Sequence, residues 1–270
     1  MSMLLTKKSI VLSITLFACL LFSFSQESEN TGAIVTDRPD ATEASSTVGR
    51  GAFQIETGGL YESYEKNNIK SESFTYNTML VRYGIFDNIE LRLGWDFVEG
   101  VTKVNGNKLN NVTSGFSPLL LSVKIDIAEE KDGMPEIALI GNVFPAFSAS
   151  ADYKPETTGV GFRFSLSHTL NEKSSLGYNI GAEWGNGSPE TTAIYTIAYG
   201  YRLSDKFGFY TELYGDLPED NSANHYWDAG FTYLASNDLQ FDIYTGTSIT
   251  DGQDLLLGLG LSYRALKKTI

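Results

Sequence analysis

Charged side chains that recur at every second position of apolar runs are the residues of this sequence best placed to do chemistry. Glu56, Arg82, Glu90, Arg92, Asp96, Lys124, Arg163, Glu183, Arg202, Glu212 and Asp242 all stand in such runs. Residues spaced by two share one face of a strand. Opposite charges on one face, interleaved with Gly94, Gly181, Gly200, Gly246 and Gly258, suit the sorting of ions or polar solutes better than bond-making. Glu56, Arg82, Glu90 and Arg92 are expected at similar depth on neighbouring strands, as a charge network that helps set selectivity or as a satisfied interior cluster. A second group, Asp37, Arg38, Asp40 and Glu43, surrounds Pro39. Proline and mixed charge argue against a strand there. This segment is expected either to fold back as a plug, with Arg38 seeking carboxylates such as Glu56 or Glu90, or to remain a polar tail.

Bond chemistry has little support. The only histidines are His168 and His225. His168 falls on an apolar face, and His225 stands beside Tyr226 and Trp227, near Asp228 and the acidic loop Asp216–Asp220. There is no G-x-S-x-G, C-x-x-C or H-E-x-x-H spacing. The reading is therefore no catalytic residue, no cofactor and no dedicated metal site, with Asp216, Glu219 and Asp220 a solvated loop or at most a weak calcium contact.

These positions need elements to hold them. The chain has 270 residues, 42% hydrophobic, with a formal net charge of −13. An acidic chain without a basic cluster cannot neutralise phosphates, which excludes nucleic acid as the main partner. Beyond the N-terminus no uncharged apolar run reaches the ~20 residues of a spanning helix. Lys7 and Lys8 precede the apolar stretch Ser9–Phe24, and Ser23-Phe24-Ser25 offers small residues for a cut before Gln26. That predicts a cleaved signal peptide over 1–25. Cys19 after Leu16-Phe17-Ala18 raises a lipoprotein alternative that Phe17 fits poorly. Residues 26–51 form an extended leader, periplasmic or inserted in a lumen.

From Ala52 onward period two dominates. In Ile89–Phe97, Leu91, Leu93, Trp95 and Phe97 oppose Glu90, Arg92, Gly94 and Asp96. The pattern predicts an all-β chain of twelve strands, near 52–65, 71–83, 89–100, 112–127, 135–145, 158–169, 175–185, 191–203, 207–216, 224–234, 239–249 and 254–264. Most connections after even-numbered strands are tight, and those after odd-numbered strands are often longer, Val101–Asn111 and Ala146–Thr157 among them. An even count with unequal ends points to a closed antiparallel transmembrane β-barrel over 52–264, with a periplasmic tail at 265–270. A secreted β-sandwich also alternates its faces. The placing of aromatics favours the barrel. Phe53, Tyr83, Tyr201, Phe207, Tyr233 and Tyr263 sit at the short-turn ends, and Trp95, Trp184 and Trp227 near the long-loop ends, as two interfacial girdles would require.

The blocks Thr36-Asp-Arg-Pro-Asp-Ala-Thr-Glu43, Gly51-Ala-Phe-Gln-Ile-Glu-Thr-Gly58, Leu80-Val-Arg-Tyr-Gly84 and Ile89-Glu-Leu-Arg-Leu-Gly94 resemble the bacterial outer-membrane family catalogued under the MetA pathway of phenol degradation. The resemblance covers essentially the whole mature chain. It implies an outer-membrane barrel with a channel or uptake role and brings no catalytic residues. One departure is that Ala265–Ile270 extends past Tyr263, whereas many such barrels end on an aromatic residue.

Two functions follow as expectations. One is passive or facilitated passage of small solutes, hydrophobic or aromatic compounds among them, through the outer membrane of a Gram-negative bacterium. The other is a structural or surface-interaction barrel with a closed lumen. The partners expected are outer-membrane lipid and lipopolysaccharide, a small-molecule solute, and the barrel-assembly machinery during biogenesis.

Overall fold

The structure is a computed structural model that describes residues 32–185, 190–250 and 252–266. The export segment expected over 1–25 and the end of the tail therefore lie outside the described residues. Thirteen strand segments follow one another: β1 (Phe53–Lys66), β2 (Ile69–Phe86), β3 (Ile89–Val104), β4 (Asn107–Phe116), β5 (Leu120–Ala128), β6 (Glu136–Phe144), β7 (Gly159–Asn171), β8 (Ser174–Trp184), β9 (Thr192–Arg202), β10 (Phe207–Pro218), β11 (Asn224–Ser236), β12 (Leu239–Ser248) and β13 (Gln253–Ala265). Each pairs antiparallel with its neighbours, β1 pairs with both β2 and β13, and the sheet closes. β4 and β5 both pair with β3, β4 along Phe97–Val104 and β5 along Ile89–Gly94. They share one position, so the closed barrel has twelve strands around its circumference.

The predicted fourth strand is thus two segments, separated at Ser117-Pro118-Leu119, where proline has no N–H to give to the ladder. The expected loop Val101–Asn111 is instead strand on both sides of a tight turn. Asn105 and Gly106 have φ of 49° and 79°, the left-handed pair of a two-residue hairpin turn, where Asn-Gly is the favoured sequence. The expected loop Ala146–Thr157 carries two short 3₁₀ turns, Ala146–Ser148 and Ala151–Tyr153. It bonds to the free edge of β4: Ser114 N–H donates to Asp152, and Phe116 N–H to the Ser150 hydroxyl.

The burial pattern is inverted relative to a water-soluble domain. Among the largest fully buried side chains are Arg82, Lys124, Gln54, Glu56, Glu90 and Glu212. Leu91, Leu93, Leu121, Val123, Ile125, Phe231, Ile243, Leu257 and Leu259 are exposed. In water such an apolar surface would be far larger than a monomer tolerates; against acyl chains it is at home, and barrel closure leaves no sheet edge to satisfy beyond that of β4, which the loop at 146–157 bonds. Among the described residues no second layer of protein covers this face, and closure into a barrel removes the sandwich alternative.

Candidate functional site

Strand parity turns the charged residues inward. Gln54 and Glu56 of β1, Arg82 of β2, Glu90 and Arg92 of β3 and Lys124 of β5 meet inside the short-turn half of the barrel. Arg82 donates through Nε to Glu90 at 2.7 Å and through Nη1 to Glu56 at 2.9 Å, and Nη2 adds a second bond to Glu90 at 3.0 Å. Arg92 Nε lies 3.4 Å from Glu90. Charges so deeply buried persist only when paired.

The leader completes this network. The Asp37 carboxylate lies 3.2 Å from Arg82 Nη1, 2.8 Å from Arg92 Nη2 and 2.9 Å from Lys124 Nζ, while its backbone N–H donates to Glu56 at 3.0 Å. Burial alone would push the Asp37 carboxyl up. The cations of Arg82, Lys124 and Arg92 outweigh it and hold the group well below the usual carboxylate range. Arg38 does not reach Glu56 or Glu90 with a hydrogen bond. Its Nε and Nη2 donate to the two oxygens of Asp242 on β12 at 3.2 and 3.0 Å, and Nη1 donates to the Thr78 hydroxyl of β2 at 2.8 Å.

Beyond Pro39 the leader runs to the opposite wall. Ala41 N–H donates to Glu212 of β10 at 2.7 Å, and the Thr42 hydroxyl bonds the same carboxylate. Glu43 N–H donates to Asn179 of β8 at 2.7 Å, and its carboxylate pairs with Arg92. The Ser45 hydroxyl donates to Glu136 of β6, and Val48 N–H returns to Glu90 of β3 at 2.9 Å. Residues 37–48 therefore contact lumen groups on strands all around the barrel.

Two cavities flank the leader. One of about 670 Å³, towards the short turns, is bounded by Ile34, Lys173, Arg202 and Tyr210; the other of about 520 Å³, towards the long loops, by Leu80, Asp96, Leu120, Phe144 and Tyr244. Arg38, Pro39 and Asp40 line both, so this tripeptide is the partition between them. Burial first, and then the neighbouring Glu212 carboxylate, push the Asp40 carboxyl well above its ordinary range.

The remaining predicted residues fall as follows. Asp96 borders the long-loop cavity. Arg163 and Glu183 face each other at 3.5 Å and are partly exposed. Arg202 is exposed at the short-turn rim. Phe53, Tyr83, Tyr201, Phe207, Trp184, Trp227 and Tyr233 are exposed on the outer face, and Trp95 and Tyr263 are half-buried. His168 and His225 contact tyrosines, Tyr178 at 3.3 Å and Tyr195 at 2.8 Å. Among the described residues no group of three or more His, Cys, Asp or Glu side chains is placed to hold a metal ion. Reading by parity passed over the polar, uncharged lumen positions that receive the leader, Thr78, Ser165, Asn179 and Thr196, because a lone amide or hydroxyl on a strand carries no pattern of its own.

The family described as "Putative MetA-pathway of phenol degradation" matches residues 36–265. No curated protein matches the sequence at a significant level. Among solved structures, the COG4313 outer membrane channel from Pseudomonas putida F1 superposes with a TM-score of 0.66 at 10% identity, over 88% of this chain and 100% of that one. The KdgM porin gives a TM-score of 0.52 at 8% identity, over 78% and 98% of the two chains. These likenesses are of fold. With its match running from the leader through the last strand, the chain belongs to the MetA-pathway of phenol degradation family and is an outer-membrane β-barrel.

Proposed function

We propose that the protein is a gated channel for small solutes, in which residues 33–50 close the lumen and must shift for passage. The observation that carries this reading is the partition at Arg38–Asp40, with a cavity on each side. Cavities of 520 and 670 Å³ lie in the ~300–1,000 Å³ range of small-molecule sites. Leu80, Leu120 and Phe144 beside Asp96 on the long-loop side favour amphipathic or aromatic solutes over fully hydrated ones. The test compares the full chain with a deletion of 33–50 in planar bilayers and in liposome swelling. Single-channel conductance is expected to rise several-fold on deletion; an unchanged conductance removes the gate.

A closed structural barrel is the competing reading, favoured by the buried ion pairs that tie the leader to Arg82, Arg92, Lys124 and Asp242. It requires no solute flux from the full chain under any condition. Lipopolysaccharide is the expected neighbour of the outer face near the long loops. There Tyr61, Phe74, Tyr76, Phe97 and Phe116 form a run of ring contacts at 4.9–6.5 Å. The assembly machinery would read the closing strand β13.

A further inference from the structure

The leader is held by two ionic anchors of different character. Asp37 lies within a cage of three cations, and its side chain is 3% exposed. Arg38 rests on a single carboxylate, its side chain is 12% exposed, and it borders both cavities. Asp37 borders only the long-loop cavity, so Arg38 is the anchor that a solute in either cavity meets.

The slot that holds Arg38 belongs entirely to the barrel wall. Register places Thr78 beside Gly58, Gly58 beside Gly260 and Gly260 beside Asp242, in one row across β2, β1, β13 and β12. Asp242 presents both oxygens to the guanidinium edge, its side chain fully buried, and the Thr78 hydroxyl accepts from Nη1. The Tyr244 ring lies 5.9 Å from the guanidinium carbon, close enough for a cation–π contact. The two glycines provide the room. A Cβ at Gly260 would stand 2.3 Å from Arg38 Nη2, and one at Gly58 2.6 Å from the same atom. A carboxylate fork, an aromatic face and a floor without side chains match a planar, five-donor cation.

We propose that this slot is a binding site for organic cations of the guanidinium type, which Arg38 fills in the closed barrel and a guanidinium-bearing solute can fill in its place. Asp242 gains the same bidentate partner from either source, so exchange leaves no buried carboxylate unpaired. The consequence for passage, release of the 38–40 partition, rests on the gating reading above; the binding itself does not.

The test uses the whole mature chain refolded in detergent, with the heat-modifiable gel shift confirming the barrel. Arg38→Ala vacates the slot, and calorimetric titration with ethylguanidinium is expected to show at least tenfold tighter binding than the double variant with Asp242→Asn. Equal binding by the two overturns the proposal. Should Arg38→Ala not fold, the wild-type channel is recorded with ~10–100 mM ethylguanidinium, enough to compete with a group tethered at millimolar effective concentration. Its open probability is expected to rise at least threefold, and equal concentrations of tetramethylammonium, which cannot donate to Asp242, leave it unchanged. An identical response to both cations overturns the proposal. Deleting 33–50 tests the gate separately: binding that persists without a conductance rise keeps the site and removes the gate.

Discussion

Three cations converge on Asp37 at 2.8–3.2 Å; Arg82 also has Glu56 and Glu90 and Arg92 also has Glu43, so Lys124 is the cation that depends on Asp37 most. Removing one partner of a buried ion pair costs ~3–5 kcal/mol, since the remaining charge stays buried. Asp37→Asn should therefore undock the leader more than Arg38→Ala, whose loss leaves only Asp242 unpaired. Trypsin cleavage at Arg50 in proteoliposomes, with open probability recorded alongside, should rank the two in that order. Asp40 predicts a pH dependence. Its carboxyl is pushed up by burial and by Glu212, with Asp228 and Asp37 adding to the effect, so the docked leader prefers it protonated. Docking is favoured fully below the ordinary aspartate value of ~3.9 and weakens as pH rises towards the raised one. Asp37 has the opposite sign: its contribution is present above ~3.9 and is lost only in stronger acid. Open probability should thus climb as pH rises above the ordinary aspartate value of ~3.9 towards the raised one, and Asp40→Asn should flatten the climb. A wild-type profile that is already flat would remove Asp40 from the gate.

At the scale of elements, the barrel wall is shaped to receive the leader. Gly260 and Gly58 open a floor on β13 and β1 under Arg38. Gly260→Ala places a carbon where the guanidinium lies, and should loosen the leader while the barrel keeps its heat-modifiable band. Conductance should move towards that of the 33–50 deletion, and a wild-type trace from Gly260→Ala would mean that Arg38 has other space to occupy. How much of this could be read beforehand depended on what repeats. Alternation in Ile89–Phe97 and Leu239–Ile243 assigns inside and outside correctly, because lipid on one face and ion pairs on the other impose opposite demands at every step. The hairpin at Asn105-Gly106 was not read: the polar run around it reads as a loop, because no apolar face marks strands that rise beyond the membrane. Pairing of Arg38 with Asp242 was not legible. It is set by the path of a non-repetitive segment across a lumen, and several carboxylates of the right parity compete for one arginine.

For the whole molecule, the inverted arrangement makes lipid part of the folding equilibrium. Ile243 and Leu259 are register partners on β12 and β13; they are 60% and 63% exposed, and Ile243 is the fifth of the ten residues of its strand. A residue midway along a spanning strand faces the centre of the acyl layer, where arginine costs ~2–4 kcal/mol, whereas near the interfaces the cost falls to ~0–1 kcal/mol. Ile243→Arg should therefore lower stability in urea titrations of the vesicle-inserted protein by an amount in the first range. Ser204→Arg, in the turn between β9 and β10, should fall in the second. Both variants add the same side chain to an exposed position of the same fold, and Ser204→Ala subtracts the two hydrogen bonds that the Ser204 hydroxyl accepts from Lys206 and Phe207 N–H, which leaves depth as the difference. If the two lose equal stability, the apolar face does not meet hydrocarbon at its middle. The exposed leucines, the inward charges and a leader held by buried ion pairs would then need a different solvent to explain them.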